Sequence, residues 1–268
     1  MILPDDIFLV SYPRSGNTWL RFLIANLLDT HDAVTFLNID RKVGDIYGRS
    51  QENLLRLPRP RILKSHEPFE PRYSRVLYIV RDPRDVAVSY YHWKMKRRVI
   101  ADGYPIEQFV SHFLAAKFDP NLGTWAQNVG TWLAARQNTV GFMLIRYEDL
   151  FENTLDQLRR IAQFLNCRFT EEQLSRAILL STVERMQDLE KRQSHLWVGG
   201  RGFRQDIMFV RKGQTGSWQS ELPPTSVLEI DRAWGAIMKS LGYNCRDTAA
   251  LQKGGTRHAV RLGECHGD

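Results

Sequence analysis

The 268-residue chain, with 43% hydrophobic and 25% charged residues, has a globular composition and is long enough for one substantial core. Cys167, Cys245 and Cys265 are odd in number and widely spaced, which excludes a disulfide framework or a zinc pattern, and no stretch has the apolar length of a membrane span. A formal charge of +7 suits an anionic ligand, a nucleic acid or an acidic surface without choosing among them.

In chain order, Ile7–Tyr12 is a short β-type run that ends in Pro13-Arg14-Ser15-Gly16-Asn17-Thr18, and a helix is expected over Thr18–Leu28. Strand, tight polar loop and helix is the geometry that points backbone N–H groups and a helix N-terminus at an anion. The stretch from His31 to Arg61, with Gly44, Gly48, Pro58 and Pro60, has poor periodicity; it predicts a short helix near Gln51–Leu57 and loops that could line a pocket. Arg61–Lys64 is a short strand leading into Ser65-His66-Glu67-Pro68. Val76–Val80 is continuously apolar, as in a strand buried on both faces. After it, Arg81-Asp82-Pro83-Arg84-Asp85 supplies an N-cap at Asp82, a first helical residue at Pro83 and first-turn acid at Asp85, for a helix reaching about Arg98.

Pro105–Phe118 and Thr124–Arg136 read as helices, and Gly141–Arg146 as a buried strand ending at Tyr147-Glu148-Asp149. Asn153–Asn166 is amphipathic, and Thr170–Leu180 and Thr182–Gln193 continue as helices. Ser194–Ser217, with five glycines, is expected to be a long loop or lid. Pro224–Leu241 is a last helix, and residues 248–268 a polar, mobile tail. Strands alternating with helices predict a single α/β domain, residues 1–247, with a mainly parallel central sheet. The densest basic group, Lys94, Lys96, Arg97 and Arg98, falls at a helix C-terminus, where cations complement the helix dipole, so no nucleic-acid partner is expected. Without a charged leader followed by a long apolar segment, a soluble, cytoplasmic protein is expected, with no membrane partner.

Four places carry chemistry. The loop at 13–18 departs from the Walker A pattern G-x-x-x-x-G-K-[ST]: its last positions read Gly16-Asn17-Thr18, so the lysine is missing and Arg14 is the nearest cation. That makes an ordinary ATPase or GTPase a poor fit. Lys64-Ser65-His66 sits at a second strand end, and in a parallel sheet ligands gather at that edge; His66 is the natural general base, although strand-end histidines also serve as structural hydrogen-bonding residues. Arg81 and Ser89 could together hold a phosphate, or Arg81 could belong to a capping turn. Arg211-Lys212-Gly213, before Gln214-Thr215-Gly216-Ser217-Trp218, is an anion-binding lid or an exposed basic turn.

These segments, with Trp19 and Tyr147-Glu148-Asp149, occur in an order that resembles the motifs of cytosolic-type sulfotransferases from about residue 7 to 219. The resemblance implies a P-loop-like fold and 3′-phosphoadenosine 5′-phosphosulfate (PAPS) as co-substrate, without a metal, with adenosine 3′,5′-bisphosphate as product. It assigns Arg14, Ser15, Gly16, Asn17, Thr18 and Trp19 to the 5′-phosphosulfate, and Arg81, Ser89, Arg211, Lys212 and Gly213 to the 3′-phosphate. Tyr147 and Ser181-Thr182-Val183 would reach the adenine, near which Trp19 would also stack, with Val183 departing from the aromatic residue common there. His66 would take the acceptor proton while Arg14 and Lys64 offset charge on the leaving and sulfuryl oxygens. Arg14 is a second departure, since many relatives carry lysine; arginine stays charged and cannot serve as an acid. The helix at Thr182–Met186 with Glu190-Lys191-Arg192 is similar to bacterial sulfotransferases that modify glycopeptide antibiotics, which implies a small natural-product or metabolite acceptor with a hydroxyl or amine. Tyr90-Tyr91-His92-Trp93 could shape its pocket or pack in the core. The competing readings are a magnesium-dependent nucleotide phosphotransferase with an atypical phosphate loop, and a non-catalytic anion-binding module. Oligomeric state is not readable from the sequence.

Overall fold

Five short strands rich in aliphatic residues build one sheet: β1 (Ile7–Val10), β2 (Val43–Asp45), β3 (Ile62–Ser65), β4 (Arg75–Val80) and β5 (Phe142–Arg146). They lie in the order β2-β3-β1-β4-β5, and every neighbouring pair is parallel, with Val10 opposite both Ser65 and Tyr78. The computed structural model describes residues 2–29, 31–48, 50–197 and 200–245; the expected C-terminal tail and Cys265 lie outside them.

Because strand side chains alternate in direction, each central strand feeds two cores. Phe8, Val10, Val76, Tyr78 and Val80 face one cluster, while Ile7, Leu9, Leu77 and Ile79 face the other. The helices are α1 (Asn17–Leu28), α2 (Gln51–Leu55), α3 (Pro83–Lys96), α4 (Ile106–Leu114), α5 (Trp125–Arg136), α6 (Tyr147–Glu152), α7 (Thr154–Phe164), α8 (Glu171–Leu179), α9 (Val183–Gln193), α10 (Trp218–Glu221) and α11 (Pro224–Ser240). Buried residues of α3, α4, α5 and α11 cover the first sheet face, and those of α1, α7 and α8 cover the second. Among the described residues, no helix is long and apolar enough to cross a membrane.

The α/β class and the parallel sheet match the sequence expectation, while several local features differ from it, among them a short helix α10 and a β5 that is mostly half-buried rather than buried. Val43-Gly44-Asp45 is a strand that three residues are too few to announce by alternation. The strand β5 stops at Arg146 as expected, and Tyr147-Glu148-Asp149 then opens helix α6, which lies outside the sequence expectation; two acidic residues in a first turn suit a helix N-terminus. The Asp82 cap is as expected, its carboxylate accepting from the Arg84 N–H at 2.9 Å. Thr124 and Thr170 close full capping boxes with Gln127 and Gln173.

One buried ion pair ties the starts of β1 and β3 together. Arg61 Nε and Nη2 donate to the two Asp6 carboxylate oxygens at 2.7 and 2.5 Å, and the Ile7 N–H donates to the Arg61 carbonyl at 2.9 Å. Both side chains are 1% exposed or less. Removing one partner leaves the other charge buried, so Asp6→Ala should destabilise the fold by about 3–5 kcal/mol in urea unfolding.

Candidate active site

The carboxyl ends of β1, β3 and β4 lie on one edge, and the chain crosses from β3 on one side of β1 to β4 on the other, the kind of topological switch at which open α/β sheets hold ligands. A cavity of about 540 Å³ opens there. Its wall carries the cations Arg14, Lys64, Arg81, Arg97, Arg211 and Lys212 against one carboxylate, Asp119, among the described residues. The field inside attracts anions.

Pro13, Arg14 and residues 16–19 line one end, while Ser15 is fully buried and not in the wall. Gly16 is the N-cap of α1 at φ 97, and a Cβ there would run into the Tyr147 ring, so the position needs glycine for both its backbone angle and its packing. The first-turn N–H groups of Asn17, Thr18 and Trp19 have no partner within their own helix. The Ser15 hydroxyl is buried without a hydrogen-bond partner. Arg14, at φ 69, folds its guanidinium across the cavity: Nε donates to Ser89 Oγ at 3.1 Å and Nη2 to the Phe209 carbonyl at 2.9 Å, with the Phe209 ring 4.5 Å away. Burial, with repulsion from Arg81, lowers its pKa to about 10, so it stays charged at neutral pH. Asn17 turns its amide away from the cavity, to the Leu9 carbonyl and Ser11 Oγ.

His66 follows β3 on the same edge. Its Nδ1 lies 2.8 Å from the Ser11 carbonyl, an acceptor only, so Nδ1 carries the proton and Nε2 is left with its lone pair. Burial, with the charge of Lys64, pushes its pKa down to about 3. The imidazole is therefore neutral across the physiological range. Lys64 Nζ pairs with Asp45 at 2.8 Å, where β2 runs beside β3, and sits 5.3 Å from the Tyr47 ring.

Arg81 and the 211–213 segment form the far end. Arg81 Nη2 donates to the Gln214 carbonyl at 2.7 Å, its guanidinium lies 4.2 Å from the Tyr147 ring, and its buried Nε has no partner. Arg211 and Lys212 both pair with Glu221. Burial would raise the Glu221 pKa, yet Lys212, His92 and Arg211 hold it down at about 2. Gly213, at φ 57, packs directly on Val183, and a Cβ would clash with that valine. The small residue at 183 and the glycine at 213 thus fit one another.

The expected adenine contacts divide. Trp19, Tyr147 and Val183 line the cavity, with the Trp19 and Tyr147 rings 5.6 Å apart edge to face. Ser181 and Thr182 are not in its wall. The Ser181 hydroxyl is spent on Asn26 and the Ala177 carbonyl while its own carbonyl accepts from Trp19 Nε1 at 3.0 Å; Thr182 Oγ1 caps α9. Both act on the cavity through their neighbours. Tyr90 and Trp93 are in the wall, whereas Tyr91 and His92 are not.

Several supporting residues gave no sequence signal. Asn128 accepts from the Tyr78 hydroxyl at 2.7 Å and donates to the His66 carbonyl at 3.2 Å. The His66 N–H donates to the Tyr47 hydroxyl at 2.8 Å, with the two rings stacked. Glu190, 2% exposed, accepts from the N–H groups of Phe209 and Val210 at 2.6 and 2.8 Å. Lys96, 3.2 Å from Glu190, donates to the carbonyls of Arg204 and Ile207. This buried pair pins the loop that carries Phe209, and through it Arg14. Lys96 is thus an interior anchor rather than a solvated helix-end charge.

The lowered His66 pKa has a stability consequence. In the unfolded chain the imidazole titrates near about 6.5, so below that pH the unfolded state binds the extra proton and the folded state does not until about 3. Stability is full above about 6.5 and falls as pH drops through this window. Wild type should lose up to about 1.4 kcal/mol per pH unit more than His66→Gln between pH 6 and about 4, measured by urea unfolding.

Residues 4–242 match the family described as Sulfotransferase domain. Cytosolic sulfotransferase 12 of Arabidopsis thaliana is 32% identical over 263 residues, 89% of this chain and 78% of the plant protein. Mouse sulfotransferase SULT7A1 complexed with PAP shares the fold at a TM-score of 0.70 and 22% identity, covering 94% of this chain and 87% of that one. Retinol dehydratase in a complex with retinol and PAP does so at 0.71 and 20%, covering 89% and 82%. With the family match spanning nearly all the described residues, the chain belongs to the sulfotransferase family and is a PAPS-dependent sulfotransferase.

Proposed function

We propose that the cavity takes PAPS along its length and sulfates a small molecule at the His66 end. The observation that carries this is the 3.1 Å hydrogen bond from Arg14 to Ser89, which joins the loop of residues 13–19 to the Arg81–Ser89 segment so that two anion sites share one cavity. The orphaned Ser15 hydroxyl and Arg81 Nε are buried donors of the kind an anionic ligand satisfies. In this reading Arg14, Ser15, Gly16, Asn17, Thr18 and Trp19 hold the phosphosulfate end through backbone N–H groups, the Ser15 hydroxyl and the Arg14 guanidinium. Arg81, Ser89, Arg211, Lys212 and Gly213 hold the 3′-phosphate. Tyr147, Trp19 and Val183 flank the adenine, with Ser181 and Thr182 setting their positions.

PAPS supplies the activated sulfuryl group. His66 Nε2 removes the acceptor proton, its ring held by the Ser11 carbonyl and its strand end by Asn128. Burial, with the charge of Lys64, keeps the imidazole unprotonated before reaction, and Lys64 with Arg14 offsets negative charge at the transferring group. Donors fixed in advance in this way are worth about 3–4 kcal/mol each.

The wall near His66 is aromatic and apolar, with Tyr47, Tyr90, Trp93, Leu122 and Phe209. Such a surface suits a phenol, alcohol or amine on an apolar body; structures of retinol dehydratase contain retinol or androsterone beside PAP. A small natural product or metabolite fits this reading, as does a cytoplasmic location, with one catalytic domain ending near residue 247 and no nucleic-acid or membrane partner.

Incubation with labelled PAPS and a panel of phenols, alcohols, amines, glycans and nucleic acids, in the presence of a chelator, tests the reading. Label should move to a small hydroxyl or amine acceptor, with no magnesium-dependent consumption of ATP; absence of transfer to the small molecules would refute it. His66→Ala should lower kcat by about 10²–10⁴-fold while adenosine 3′,5′-bisphosphate binding stays within a few-fold. Turnover close to wild type would remove His66 from the general-base role.

A further inference from the structure

We propose that Glu221 is an internal stand-in for the 3′-phosphate, an anion that occupies Arg211 and Lys212 until the nucleotide arrives and again after it leaves. The inference rests on the reading of Arg211 and Lys212 as 3′-phosphate ligands. One oxygen of Glu221, Oε1, accepts from Arg211 Nη1 at 2.5 Å and from Lys212 Nζ at 2.9 Å. The other, Oε2, lies 2.8 Å from His92 Nε2, which anchors the carboxylate from α3. Arg211 and Lys212 line the cavity and Glu221 does not, so the carboxylate holds both cations without itself being part of the wall.

Two adjacent cations on one carboxylate oxygen reproduce the contact pattern of a phosphate oxygen. Without Glu221 these consecutive like charges would repel each other on the half-buried lid. A 3′-phosphate, with more oxygens and more charge, must take the cations from the carboxylate or share them. Glu221 therefore competes with the 3′-phosphate of donor and product alike, and it hastens product release. A nucleotide without that phosphate leaves the carboxylate paired and is indifferent to it.

Calorimetric titration of adenosine 3′,5′-bisphosphate and of adenosine 5′-monophosphate into wild type, Glu221→Gln and Arg211→Ala tests this. The Gln variant keeps the shape of the side chain and removes its charge. It should bind the bisphosphate at least about fivefold more tightly, leave the monophosphate within about twofold, and show a lower melting temperature without ligand. A purely structural Glu221 would lower both melting temperature and affinity. If the Gln variant does not fold, Glu221→Asp, which withdraws the carboxylate by one methylene, should shift affinity in the same direction by less. Unchanged or weaker bisphosphate binding in the Glu221 variants overturns the inference when Arg211→Ala still costs about thirtyfold or more for the bisphosphate alone; the site reading then stands. If Arg211→Ala leaves the ratio of the two affinities unchanged, the 3′-phosphate reading itself fails, and the role of Glu221 with it.

Discussion

Parallel pairing of β1 with β3 on one side and β4 on the other is the constraint on which the site depends, because it sets three strand ends side by side. Val10, Ser65 and Tyr78 share one level of the sheet, and beyond it the chain leaves as the loop of residues 11–16, as His66, and as the Arg81–Asp82 turn. The hydrogen bond from His66 to the Ser11 carbonyl follows directly, since β1 and β3 are neighbours whose exits cannot diverge within one or two residues. It decides the tautomer of the imidazole, and so which nitrogen is free for chemistry. A register slip of one residue would turn every core side chain of β1 to the opposite face and take this contact with it.

The positive charge gathered on this edge is balanced by acids that stand outside the cavity wall. Lys64 leans on Asp45, Arg81 on Asp85, and Arg211 and Lys212 on Glu221. Asp85 also accepts from the N–H groups of Gly216 and Trp218, which ties the lid to the first turn of α3. Glu190 and Lys96 fasten the lid further along by backbone bonds alone. These acids make the cation cluster compatible with folding, and each leaves the cavity wall itself cationic. Ion pairs of this kind, whether buried or partly exposed, add little net stability, so their value here lies in geometry.

Much of this was legible in local sequence. The strand–loop–helix at residues 7–28 and the apolar run before Arg81 with its Asp82 cap each depend on neighbours along the chain, where spacing and residue type act directly. Gly16 is a case in between: its left-handed angle could be suspected from the turn, but its contact with Tyr147 required β5 and α6 to be placed beside the loop. Ser181 and Thr182 were assigned to the ligand by motif, and only the folded chain revealed that their hydroxyls are already used.

By itself, then, the sequence determined the α/β class, the strand ends that carry chemistry and the residue types at them, because propensity, capping and the hydrophobic period are short-range effects. Tertiary structure alone decided the pairings: Lys64 with Asp45 across β2 and β3, Lys96 with Glu190, Asn128 with the His66 carbonyl, and Glu221 with two cations and a histidine. A charged side chain takes whichever partner packing brings within about 3 Å. That distance is set by the sheet order and the path of the lid, neither of which is written in the residues nearby.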